Sequence, residues 1–277
     1  MKILIYDITI TGHHSEYISH LVDYIYEKSD DSNHYYFVLH PEFSKMFGEI
    51  SGKASECKNI TWLEVSYEEL EQTLEGSLVQ KSFSNYKLLN KFVKIFQIDH
   101  VLLLYFNTFQ LALIFAKNNF TIDGILFRQF YRMRTSSIKQ KIKYWTKYLL
   151  LKLVLRNSKI RKIYVLNDEK SVSHFNIIYN SKVFRLLHDP IPDKLPKQGF
   201  CIKDYHKVGN DKKILLHFGS LSDRKGTLEI IESLFDLSED LSKSIYLLII
   251  GKAKPAFKNK IVDKIKKLKF ENPHIDI

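Results

Sequence analysis

The sequence predicts an α/β protein of two Rossmann-like domains, the second of them incomplete. Three observations predict it. Short runs rich in β-branched and aromatic residues alternate with longer segments of helical period, the pattern of βαβ units on a parallel sheet. A stretch at 188–210, holding Pro190, Pro192, Pro196, Gly199 and Gly209 without an apolar period, interrupts the alternation. The strand–helix pattern then restarts and runs to residue 277. The expected organisation is a first domain at 1–187, a linker at 188–210 and a partial second domain at 211–277.

The first strand is expected at 3–7 and ends on Asp7. The next helix, 15–28, carries Ile18, Leu21, Val22 and Ile25 at i, i+3, i+4 and i+7, with Ser15 placed to cap it. Further strands are expected at 34–39, 60–65, 100–105, 124–127, 161–166 and 182–186, and helices at 82–97, 108–118, 137–157 and 169–179. Beyond the linker follow a strand at 214–218, a helix at 227–237, a strand at 245–250, a helix at 257–268 and the opening of a third strand at 274–277. Two strands with two helices make about half of a usual α/β domain. The expectation is a domain truncated, or completed by another polypeptide.

With 277 residues, 45% hydrophobic and 26% charged, the chain is neither disordered nor collagen-like. Cys57 and Cys201 alone build no disulfide framework and no cysteine zinc site, and they suit a reducing compartment. Residues 1–10 are too short and polar for a signal segment, and the apolar stretch 101–116 is broken by Asn107, Thr108 and Gln110. No transmembrane segment is expected, and a cytoplasmic location follows.

Charge is uneven. Residues 1–123 hold 10 Lys/Arg against 16 Asp/Glu, whereas 124–277 hold 32 against 15. No acidic residue lies between Asp123 and Asp168, where twelve cations from Arg128 to Lys162 gather. A solvated face, an anionic membrane surface, a phosphorylated small molecule and nucleic acid all fit such a run. Within it, Ile138, Ile142, Trp145, Leu149 and Leu153 share one helical face, and Tyr144, Tyr148, Leu151 and Leu155 line a second. So much apolar surface predicts a helix mostly packed on its own domain, with snorkelling lysines. A membrane-surface role through 128–162 is the sharper alternative. Nucleic acid ranks last, because no recognition module is present and the aromatics stand at helical core spacing.

Two loops carry candidate chemistry. Gly219, Ser220, Arg224 and Lys225 belong to a strand–glycine–loop–helix segment that suits a diphosphate: glycine permits close backbone approach, and a helix start and two cations attract an anion. It has neither the Walker pattern nor dinucleotide-fingerprint spacing, so a plain βα turn is the alternative. Gly12, His13 and His14 follow the first strand, at the strand end where open α/β sheets bind ligands. Adjacent histidines without a carboxylate or cysteine set do not make a metal site.

The two-domain layout, Gly12 with His13 and His14, the crossing His188-Asp189-Pro190-Ile191-Pro192, the 219–226 loop and Leu247-Leu248-Ile249-Ile250-Gly251 together resemble the family-4 retaining glycosyltransferases of GT-B fold. The resemblance implies a hexosyltransferase moving sugar from a nucleotide-sugar, held in the C-terminal domain, to a glycan or lipid-linked acceptor in the N-terminal domain. It implies no metal and no cofactor besides that co-substrate. It places Gly219, Ser220, Arg224 and Lys225 at the donor diphosphate, and Gly12, His13, His14, Asn107 and Arg128 on the acceptor side of a groove. Ser220 stands where the family has arginine, with Arg224 as a substitute charge, and Lys225 matches the family lysine. Asn107 and Arg128 stand near strand ends where the family offers a histidine, and neither is assigned to catalysis. The family's paired glutamates lie beyond Ile277, so the chain is expected to be inactive alone. A non-catalytic glycosyltransferase-like subunit is the alternative. The basic run fits peripheral attachment at the inner membrane face, as in polysaccharide biosynthesis on lipid-linked acceptors.

Overall fold

The computed structural model describes the chain except residues 13, 29–31, 128–129, 131–136, 190–198 and 200, and the side chain of Arg224. The chain forms two units, Met1–Pro192 and Asp193–Ile277.

Among the described residues of the first unit seven strands form one parallel sheet: β1 (Lys2–Asp7), β2 (His34–Leu39), β3 (Ile60–Glu64), β4 (His100–Leu103), β5 (Thr121–Leu126), β6 (Ile160–Leu166) and β7 (Phe184–Leu187). Their order is β3-β2-β1-β4-β5-β6-β7. The direction of winding reverses between β1 and β4, so the carboxyl ends of these two strands flank the switch point of a doubly wound sheet. All seven strands stand where the runs of branched and aromatic residues predict them, β2 with both ends as predicted and no end shifted by more than three residues.

Among the described residues eight α-helices join the strands: α1 (His14–Glu27), α2 (Phe43–Met46), α3 (Gly48–Ser55), α4 (Tyr67–Leu74), α5 (Leu78–Phe96), α6 (Gln110–Phe115), α7 (Ile138–Val154) and α8 (Glu169–Ile178). Alternation along each strand splits the core between the two sheet faces. Leu4 and Tyr6 of β1 join the larger core with Leu89 and Phe92 of α5, Leu151 of α7 and Phe175 of α8. Ile5 joins the other core with Ile18, Val22 and Ile25 of α1 and Phe43 of α2.

Several local expectations need correcting. α1 starts at His14, so Ser15 stands inside the first turn rather than at the cap. The helix predicted over 108–118 is a 3-10 turn, Phe106–Phe109, followed by the short α6. The helices α2, α3 and α4 were not expected. α3 contains two glycines and α4 four carboxylate or amide side chains, which blur the apolar period; Ser66 and Glu69 form the capping box that starts α4.

The largest correction concerns α7. Its second apolar face is the packed one: Leu151 is buried, and Tyr144, Tyr148 and Leu155 pack against the main core. The first face points to solvent over most of its length, with Ile138 77%, Ile142 61%, Trp145 63% and Leu149 55% exposed, while Leu153 at its end is half-buried. Among the described residues no helix is long and apolar enough to cross a membrane.

The second unit contains α9 (Ile202–Tyr205), β8 (Lys213–Ser220), α10 (Thr227–Glu232), α11 (Glu239–Lys243), β9 (Ile245–Lys252) and α12 (Pro255–Glu271). β8 and β9 pair in parallel as a two-stranded sheet, and the predicted strand segment 274–277 contributes one isolated parallel bridge, Tyr246 to Asp276. Ile231, Leu234, Leu247, Ile261, Leu268 and Ile275 form its core. α10 ends at Glu232, five residues before its predicted end, and the chain continues in turns.

Candidate functional site

At the carboxyl end of β1 the chain leaves the sheet through Asp7 and re-enters a helix at His14. Asp7 is buried, and its carboxylate is satisfied locally. Oδ1 accepts the Thr9 amide at 3.0 Å, and Oδ2 stands 2.6 Å from Nδ1 of His14. In the Nδ1–H tautomer the ring donates to this carboxylate, and Nε2 then carries the lone pair and can accept.

The His14 ring is wedged between aromatics from neighbouring strand ends. It stacks on Phe127 at 5.7 Å and meets Tyr105 edge-on at 5.8 Å, while Tyr105 and Phe127 are 5.5 Å apart. Asn107 holds this cluster in place. Its Nδ2 donates to the Phe127 carbonyl and its Oδ1 accepts the Phe127 amide, both at 2.8 Å. The amide therefore works as a bracket between the ends of β4 and β5. Asn107→Ala leaves both Phe127 backbone groups unpaired, and we expect a loss of about 1–3 kcal/mol in denaturant unfolding. A loss below about 0.5 kcal/mol would mean that solvent replaces the bracket.

Tyr17, one turn into α1, completes the edge. Its hydroxyl donates to Asp189 Oδ1 at 2.5 Å, and the Asp189 amide in turn donates to Asn167 beyond β6. Burial, then the hydrogen bond to Asp189, pushes the Tyr17 phenol well above its usual range. The segment after β7 is thereby tied back to α1.

Of the residues predicted for the acceptor side, His14 and Asn107 come together at the switch point, and Gly12 is exposed in the loop before α1. His13 and Arg128 lie outside the described residues. Sequence reasoning missed Asp7, Tyr17, Tyr105 and Phe127. Only Asp7 left a signal, a carboxylate closing an otherwise apolar strand.

In the second unit the turn after β8 has a defined frame. Gly219 sits at φ +107° and Gly226 at φ +69°, conformations that glycine adopts without strain. Gly219 is paired with Gly251, and a Cβ on Gly251 would lie 1.8 Å from the Gly219 carbonyl oxygen. Only glycine permits these strand ends to approach so closely. The Lys225 and Gly226 amides donate to Ser222 and Asp223 carbonyls at 3.0 and 3.1 Å. Thr227, fully buried, donates its hydroxyl to the Ser222 carbonyl at 3.4 Å and so accepts from Nε2 of His217 at 2.9 Å.

Ser220 closes β8 opposite Lys252 and is exposed. Lys225 is exposed, and among the described residues no carboxylate stands within ion-pair distance of it. The backbone of Arg224 belongs to the same turn. With six residues, α10 brings its negative end within two turns of its positive one, so an anion here would be held mainly by the full side-chain charges.

Grooves also mark the surface of the first unit, two of them larger than the one beside α8. One, about 530 Å³, runs along the apolar sheet face beside α1 between Tyr17, Leu21, Leu102 and Tyr164. The other, about 490 Å³, lies between α4 and α5. Among the described residues no three His, Cys, Asp or Glu side chains cluster as a metal site would require.

No protein-family model matches the chain, and no curated protein matches it in sequence. Solved structures do match in fold. A glycosyltransferase from Rickettsia africae ESF-5 superposes with a TM-score of 0.57 at 14% identity, over 98% of this chain and 66% of that one. WaaG, a glycosyltransferase involved in lipopolysaccharide biosynthesis, gives 0.55 at 13% identity, over 99% and 69%. An α,α-trehalose-phosphate synthase (UDP-forming) from Burkholderia vietnamiensis gives 0.53 at 11%, over 98% and 70%. The chain thus has the Rossmann-like α/β fold of GT-B glycosyltransferases and spans 66% of the length of the Rickettsia structure.

Proposed function

We propose that this protein serves a retaining hexosyl transfer from a nucleotide-diphosphate sugar to a glycan or lipid-linked acceptor. The second unit takes the donor diphosphate at Gly219, Ser220, Arg224 and Lys225, and the first unit offers the acceptor side at Gly12, His13, His14, Asn107 and Arg128. The observation that carries the reading is the glycine-flanked turn after β8. It presents Lys225 without a carboxylate partner among the described residues, on a fold shared with glycosyltransferases.

In the transfer, the bond from the anomeric carbon to the donor phosphate oxygen breaks. A bond to the acceptor hydroxyl oxygen forms on the same face, and the hydroxyl proton passes to the departing diphosphate. Cations at the diphosphate stabilise the charge that develops there. The test is calorimetric titration of nucleoside diphosphates into the protein. Arg224→Ala with Lys225→Ala is expected to weaken binding by 100-fold or more, at about 1.5–3 kcal/mol for each charged hydrogen bond. Unchanged affinity rejects the donor assignment.

A second reading is favoured by one observation, the Asp7–His14 pair. If Nε2 of His14 takes the acceptor proton, the acceptor attacks from the opposite face and the product is inverted. The anomeric configuration of the product distinguishes the two.

A further inference from the structure

We propose that the exposed face of α7 is a docking surface for an anionic lipid bilayer. The inference stands apart from the donor and acceptor assignments, because it uses none of their residues.

α7 is held in one orientation. Ser137 and Gln140 form a capping box at its start, Leu151 and Val154 are buried, and the Tyr179 hydroxyl donates to the Tyr148 carbonyl at 3.1 Å. A helix anchored in this way would ordinarily show polar side chains on its opposite face. This one shows Ile138, Ile142, Trp145 and Leu149, all more than half exposed. At 100° per residue these four fall within about 60° of one another, and at 1.5 Å per residue they extend along about 16 Å of helix. Trp145 is supported edge-on by Tyr148 at 5.5 Å, which fixes its indole at the middle of the line.

Cations border the line. Lys141 and Lys152 fall on one side, Lys139 on the other, and Arg156 follows just beyond the helix; all are exposed. No acidic residue occurs from 124 to 167. An apolar line with a central Trp and a lysine border matches the boundary between acyl chains and anionic headgroups. The apolar groups enter hydrocarbon, the indole sits at the interface, and the lysine stems snorkel to phosphates.

Charge also decides against the other occupants. Two copies of this face laid together would oppose two like-charged borders. A nucleic acid would satisfy the lysines, but it would set phosphates against the isoleucines and leucine.

The experiment is co-sedimentation of the full chain with phosphatidylcholine vesicles and with vesicles of equal phosphatidylcholine and phosphatidylglycerol, with tryptophan emission read alongside. Binding to the anionic vesicles alone is expected, with blue-shifted emission that disappears in Trp145→Phe. Ile142→Glu with Leu149→Glu should abolish binding. Lys141→Gln and Lys152→Gln should each weaken it about 5-fold at low salt. These positions are exposed, so circular dichroism should stay unchanged; should the glutamate variant fail to fold, the glutamine pair keeps the test intact. The proposal is overturned if the glutamate variant binds anionic vesicles like the parent. It is equally overturned if binding occurs without an emission shift, which marks loose cation attraction. A third overturning result is a dimer, seen by ultracentrifugation, that the glutamate variant dissociates while vesicles bind neither form.

Discussion

Gly251→Ala is expected to disrupt the second unit while the first stays folded. The added Cβ would stand 1.8 Å from the Gly219 carbonyl oxygen and 2.9 Å from its carbon, both backbone atoms that no rotamer change can move aside. Relief requires β8 and β9 to part at the Gly219–Gly251 pair, next to the 2.9 Å bond from the Leu221 amide to the Lys252 carbonyl. Overpacking of side chains alone costs about 1–3 kcal/mol, and a backbone collision falls at or beyond the upper end. The core it must draw on is small, built around Ile231, Leu247, Ile261 and Leu268. Amide exchange should accelerate across β8 and β9 with β1 to β7 unchanged, and the nucleoside diphosphate binding proposed for this turn should be lost with it. Gly52→Ala is the control. It lies inside α3 with nothing within 4 Å of the new methyl, and it should gain roughly 0.5–1 kcal/mol from reduced backbone freedom. A Gly251→Ala protein with parent-like exchange and binding would refute this account of the turn.

Substitution of Asp7 separates stability from chemistry. Asp7→Ala removes the acceptor of both the His14 Nδ1 proton and the Thr9 amide in a buried position, and we expect a loss of about 2–4 kcal/mol. Asp7→Asn is a finer probe. Its oxygen can keep the Thr9 bond while its NH₂ faces His14, which moves the ring proton to Nε2 and removes the lone pair there. Stability should fall by less than about 1 kcal/mol, and nitrogen NMR of the His14 ring should report the exchanged tautomer. If His14 accepts the acceptor proton, turnover falls by about 100-fold or more, as expected for lost general-base catalysis. If the diphosphate accepts it, turnover in Asp7→Asn stays within a few fold of the parent. A ring that keeps its Nδ1 proton in the variant would contradict the geometry itself.

The legible part of this protein was the local part. Strands β1 to β9 could be read because branched and aromatic side chains declare themselves within five or six residues. The units divide at Pro192–Asp193, and the helix α9 forms within the stretch 188–210. Helices α2 to α4 could not be read, because caps and contacts with the sheet, more than an apolar period, specify them. The turn from Gly219 to Gly226 was visible as a motif, yet the need for glycine at 251 arises only from strand register.

By itself the sequence determined which segments become strands, where the cations gather, and that His14 follows the first strand. Tertiary structure alone decided which neighbours those segments acquire. Strand order set β1 beside β4, which made that edge the switch point and linked Asp7 to His14, His14 to Phe127 and Phe127 to Asn107. For α7 the sequence offered two apolar faces of equal periodicity, and only packing of Leu151 and Val154 against the sheet chose which would be buried. The physical reason is that periodicity is a property of one segment, whereas burial depends on a partner distant in the chain.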